Sequence, residues 1–156
     1  MNAINAEMLT AATIRALERT AMVLAEPAQA QTTHQPATRF ARIIYTGPSR
    51  GTLVLGATDT FLRDLAASLL GVEPTEVSVE VQGTDALKEM TNILGGSVIL
   101  AMSGETCEYS LGLPELVTAA EMPQNPDSST SAGCTVLADE GVLRVQWTRE
   151  PIAKAA

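Results

Sequence analysis

The chain has 156 residues, ten basic and eighteen acidic, for a formal net charge of −8. That balance excludes a strong non-specific nucleic-acid binder, which needs a basic surface, and it repels an anionic membrane. Hydrophobic residues make up 46% and aromatics only 3%, so the core is built from Leu, Val, Ile, Met and Ala, in a length that suits one domain.

No run of about 18 apolar residues exists to span a membrane, and no charged n-region precedes an apolar stretch at the start. The expectation is a cytoplasmic protein folded as a single domain over 1–156, with 1–4 and 149–156 loose. Cys107 and Cys134 form neither a CxxC pair nor a Cys/His ligand cluster and read as reduced, buried thiols.

Residues 5–25 predict an amphipathic helix, with Met8, Ala12, Ile14, Leu17, Ala21 and Leu24 at helical spacing and Pro27 as the stop. Residues 26–38 have loop composition and carry His34, which has no acid or serine nearby to make it a catalytic base. Residues 39–57 predict a hairpin whose GPSRG turn uses glycines for positive φ. The next helix spans 58–70, with Thr58 or Asp59 as N-cap and Gly71 as the stop. VSVEV at 77–81 alternates like a strand yet lies between two helices, and 72–83 stays open. A third helix runs from Thr84 to Met102, with Thr84 or Asp85 as cap and an acidic first turn suited to the helix dipole. CEYSLGL at 107–113, CTVLA at 134–138 and VLRVQW at 142–147 predict strands, the last two joined by a turn at 139–141, and 122–133 is a polar loop. The fold class is α+β, an antiparallel sheet packed against long amphipathic helices.

Familiar chemistries are missing. There is no GxSxG and no histidine placed beside a nucleophile, no phosphate loop and no zinc-ligand cluster. The informative segment is DALKEMTNILGG at 85–96. Asp85, Glu89, Asn92 and Gly96 fall within an arc of roughly 60° at about 100° per residue. Leu87, Met90, Leu94, Val98 and Ala101 point the other way, to a core. Spacing alone leaves two readings open: an ordinary solvated face, or a carboxylate and an amide set to grip a charged partner and orient water. Gly95 and Gly96 each cost about 1 kcal/mol relative to Ala inside a helix, which calls for close packing, for open space beside Asn92, or for both.

This segment resembles the (Asp/Ser)-x-x-x-Glu-x-x-Asn signature of the CheC/CheX/FliY family of chemotaxis phosphatases. A proline downstream of the asparagine also matches, at Pro114, and the order of elements over 5–148 looks like CheX. The resemblance implies a phosphatase acting on the aspartyl phosphate of a phosphorylated, CheY-like response regulator. It implies that Asn92 holds the attacking water, that Glu89 pairs with the regulator's lysine, and that Asp85 and Gly96 support them. It implies no cofactor in this chain, the Mg²⁺ belonging to the regulator. The alternative is a non-catalytic, regulator-binding module. Two-motif members carry a second signature, but here Glu18 is followed by Ala21 where an asparagine would stand, so the chain looks like a single-site member. A homodimer through sheet edges is implied by analogy, with the terminal strands offering the edges.

Overall fold

The computed structural model describes residues 4–29, 33–104, 108–123 and 130–150. Cys107, the middle of the 122–133 loop and the extreme termini lie outside the described residues. At the ends that are described, Ile4 is buried and Arg149 lies within a strand, so these positions are tied down and not loose as expected.

Helix α1 spans Ala6–Ala21, capped by the Asn5 side chain, which accepts from the Met8 N–H at 2.8 Å. It buries Leu9, Thr13, Ala16, Leu17 and Ala21. It stops well before Pro27. Met22 turns into the left-handed region at φ 55° and donates its N–H to Glu18 O, a conformation that costs a non-glycine residue roughly 1–2 kcal/mol. Pro27 instead forms, with Glu26, the two-residue strand β1.

Strands β2 (Arg39–Thr46) and β3 (Gly51–Ala57) form the expected hairpin. Its glycines serve a different purpose from the one expected. Neither Gly47 nor Gly51 has positive φ. A β-carbon on Gly47 would lie 2.9 Å from Glu108 O, and one on Gly51 would collide with Thr148 O and the Tyr45 hydroxyl. Both are required by close approach of distant chain.

Helix α2 spans Asp59–Leu70. The Thr58 hydroxyl accepts from Phe61 N at 3.3 Å and from Val142 N at 3.1 Å, so one oxygen caps the helix and ties it to the sheet. Gly71 stops it at φ 69°.

The open segment 72–83 resolves into a 3₁₀ turn at Pro74–Glu76 and a wide π-helical turn at Val79–Gly83. The π turn runs straight into α3, Thr84–Ser103. The alternation of VSVEV is therefore not a strand. Val77 and Val79 are buried beneath a turn, and Val81 is 60% exposed. The expected caps are displaced too. Gly83 is already helical, and the Ser78 carbonyl accepts from Gln82 N and Gly83 N at 2.9 and 3.0 Å. The Thr84 hydroxyl donates back to Glu80 O at 2.8 Å.

Strands β4 (Ser110–Leu111), β5 (Glu115–Val117), β6 (Ser131–Ala138) and β7 (Gly141–Arg149) complete one antiparallel sheet. Its order is β1-β6-β7-β3-β2-β4, with β5 also on β2. The last strand, β7, is interior, paired on both sides by β3 and β6. It offers no edge, contrary to expectation. The helices cover one face, over a core that includes Tyr45, Leu55, Leu62, Leu87, Leu143 and Trp147. Each long helix lies over strands of the other half: α1 on β6, and α3 on β2 and β3. On the opposite face Phe40, Val54 and Met122 form a second, small cluster. There Arg42 pairs with Glu115 and, at 3.0 Å, with Glu121. Cys134 is partly buried, 3.9 Å from the Thr13 hydroxyl, and not fully buried as expected.

Candidate active site

Helix α3 is anchored from below. Leu87, Met90, Leu94 and Val98 are each at most 3% exposed, and Ala101 packs against the same core. The opposite face carries Asp85, Glu89 and Asn92, all exposed, with Gly96 half-buried beside them. The structure thus brings together all four residues singled out from the sequence.

Their engagements differ. Asp85 lies 3.7 Å from Lys88, a weak exposed pair, and caps nothing. Glu89 and Asn92 have no hydrogen bond or ion pair among the described residues. Their side chains are held only by their own backbone, on a helix that the core fixes in place. A carboxylate and a carboxamide left without partners on a rigid element are available to a second molecule.

The two glycines resolve into separate roles in packing. A β-carbon on Gly95 would sit 3.1 Å from Leu111 Cδ2 and 3.2 Å from Ile43 Cγ2, so Gly95 lets α3 settle onto β2 and β4. A β-carbon on Gly96 would meet nothing within 4 Å. Gly96 leaves open space next to Asn92.

Sequence reasoning missed the neighbour of this face. A cavity of about 280 Å³ opens between the end of α2 and the start of α3, lined by Ala66, Leu69, Leu70, Gln82, Asp85 and Glu89. Leu70 at its rim is 56% exposed. The π turn positions Gln82 here, its side-chain oxygen fixed by the Ser78 N–H at 2.6 Å. Local spacing marks Asp85 and Glu89 but not Ala66, Leu69, Leu70 or Gln82, which come from two other elements.

His34 is exposed, with Nδ1 3.3 Å from Gln35 O. Among the described residues no group of three or more His, Cys, Asp or Glu could hold a metal ion, and no helix is long and apolar enough to cross a membrane.

The model of a family described as "Chemotaxis phosphatase CheX" matches residues 39–137, which include all of α3. The chain belongs to the CheX family. Solved CheX and CheX-like proteins share its fold at low identity. A putative chemotaxis protein from Desulfovibrio vulgaris Hildenborough is 18% identical with a TM-score of 0.71, covering 93% of this chain and 96% of its own. CheX from Vibrio vulnificus is 14% identical with a TM-score of 0.71, covering 92% and 97%. The CheX of a CheX–CheY–BeF3–Mg²⁺ complex from Borrelia burgdorferi is 12% identical with a TM-score of 0.64, covering 96% and 100%. No curated protein matches the chain.

Proposed function

We propose that this CheX-family protein stimulates hydrolysis of the aspartyl phosphate of a CheY-like response regulator. One observation carries the assignment: Glu89 and Asn92 stand exposed and unengaged on a core-anchored helix, with open space at Gly96 beside them. The Borrelia burgdorferi CheX in complex with CheY supports the choice of partner.

In this reading the Asn92 carboxamide enters the regulator's site and orients a water molecule in line with phosphorus. The water oxygen bonds to phosphorus as the bond from phosphorus to the aspartyl oxygen breaks, leaving inorganic phosphate and a free carboxylate. Positioning and electrostatics carry such a transfer, so this chain needs no nucleophile of its own. Glu89 pairs with the regulator's lysine and fixes the mutual orientation of the two proteins. Asp85, held near Lys88, supports the acidic end of the face. Mg²⁺ belongs to the regulator's site. The protein works as a single cytoplasmic unit, and a homodimer would use the β1–β6 or β4–β5 side of the sheet, since β7 is enclosed.

The test is phosphate release from a panel of phosphorylated receiver domains with this protein present in catalytic amounts. Turnover beyond one equivalent, lost in Asn92→Ala, supports the enzyme. Tight binding without turnover replaces it with the regulator-binding module.

A further inference from the structure

A groove of about 560 Å³ runs between α1 and α3, directly beside the proposed site. Its α3 wall is Ile93, Ser97 and Leu100. Ile93 and Ser97 each follow a site residue, Asn92 and Gly96, about 100° further round the helix. Leu100 is one turn beyond Gly96 and is 56% exposed. Anything seated over Asn92 and the open space at Gly96 therefore overhangs this groove.

The opposite wall is α1, with exposed Arg15 and Arg19, partly buried Ala12 and buried Ala16. Both arginines are exposed, and among the described residues neither makes an ion pair or a hydrogen bond. Arg39, Arg42, Arg50 and Lys88 each have a carboxylate within 4 Å; Arg63 and Arg144 have none among the described residues either, but neither lines the groove. Arg19 has an ordinary reason to be where it is, since a cation suits the last turn of a helix. Arg15 lies a full turn earlier, beyond the last turn where that effect acts. Glu18, the nearest acid on α1, lies about 20° round the helix from Ala11 at the groove's edge and is a surface neighbour of Arg15 at i,i+3, yet it makes no ion pair with either arginine among the described residues. In a chain of net charge −8, two guanidinium groups without an ion pair, four residues apart along an apolar trough, make this groove locally basic.

We infer that the groove between α1 and α3 is the second half of the regulator's footprint, and that it takes an acidic, amphipathic segment of the phosphorylated regulator. The inference rests on the proposed function and deepens it. Carboxylates of that segment meet Arg15 and Arg19, while its apolar side chains fill the trough along Ile93 and Leu100. The surface is then polarised, presenting acids at Asp85 and Glu89 to the regulator's lysine and arginines at the groove to the regulator's acids. Complementary charge of this kind orients a partner and speeds its encounter more than it deepens affinity.

The experiment measures binding of the beryllofluoride-activated regulator, and phosphate release from the phosphorylated one, for wild type, Arg15→Glu/Arg19→Glu, Arg15→Lys/Arg19→Lys and Asn92→Ala. The charge reversal is expected to weaken binding about tenfold or more, mainly through a slower association rate, and to flatten its salt dependence. The lysine pair should restore most of the rate. At saturating regulator the charge-reversed protein should turn over as wild type does, whereas Asn92→Ala binds but does not turn over. Unchanged affinity and salt dependence in the charge reversal, alongside a dead Asn92→Ala, would overturn the groove assignment and leave the phosphatase reading intact. If the reversal alters only the chain's own sedimentation, the groove belongs to a second copy, and the inference fails. Failure of wild type to bind any activated regulator would sink both.

Discussion

Gly95 and Gly96 are consecutive in α3 and opposite in environment: a β-carbon on the first presses against Leu111 and Ile43, and one on the second meets only open space. Their alanine variants should therefore part company. Gly96→Ala gains the helix-propensity difference of about 1 kcal/mol with no clash, a rise in Tm of about 2–4 °C for a chain of this size. Gly95→Ala gains the same increment but overpacks the contact with β2 and β4, at about 1–3 kcal/mol. Thermal or urea unfolding should rank Gly96→Ala above wild type and Gly95→Ala at or below it. On the proposed docking, the stabilised Gly96→Ala should nevertheless be the poorer phosphatase, because its methyl group would occupy open space that the regulator needs.

Asn92 and Glu89 should fail in different ways. Removing a water-positioning amide costs about 100-fold or more in turnover and leaves docking intact, so Asn92→Ala should lower kcat at unchanged regulator affinity. Glu89→Ala should mainly weaken the regulator's binding. Steady-state kinetics with varied phosphorylated regulator separates the two, and identical kcat and KM profiles for both variants would contradict the division of roles.

Asp64 supplies a pH signature. Burial, helped by the carboxylates of Asp139 and Glu140, holds its carboxyl above the ordinary value of 3.8, against the pull of Arg63. The folded chain thus binds this proton more tightly than the unfolded one. The associated stability is complete below pH 3.8 and is lost as pH rises through the folded value. Asp64→Asn should raise Tm at neutral pH and make no difference in strong acid. A Tm shift independent of pH would show that packing, not charge, governs this site.

The Thr58 hydroxyl serves two backbone N–H groups, Phe61 on α2 and Val142 on β7. Thr58→Ala removes a helix cap and also orphans a buried strand donor, so it should cost more than a cap alone, about 2–3 kcal/mol. Thr58→Ser keeps the oxygen and should cost under about 1 kcal/mol. Equal losses for the two in denaturant titrations would move the cause to the methyl group.

Features that depend on neighbours in sequence were legible before the structure. The apolar stripe of α3, the Thr58 and Gly71 limits of α2 and the β2–β3 pairing all follow from local spacing and cap chemistry. The site face was legible for the same reason, since Asp85, Glu89, Asn92 and Gly96 share one helix. Features set by distant chain were not. Gly47 and Gly51 are dictated by Glu108 and Thr148, which no turn rule anticipates. Val77 and Val79 alternate as strand residues do, but burial at the end of a 3₁₀ turn and the start of a π turn satisfies that pattern equally well. Pro27 was the obvious helix stop, yet Met22 accepts a left-handed conformation five residues earlier. Arg15 and Arg19 acquire meaning only when α1 is laid beside α3.

That α1 rests on β6 while α3 rests on β2 and β3 makes the two halves of the chain interlock like clasped hands. The helix bearing Glu89 and Asn92 has its foundation in strands completed before residue 58, and β6 has its cover in the first helix. Neither half can bury its own sheet with its own long helix. A cut near residue 72, between α2 and α3, should leave two fragments that fold only on meeting, and activity of the mixture would then report their reunion.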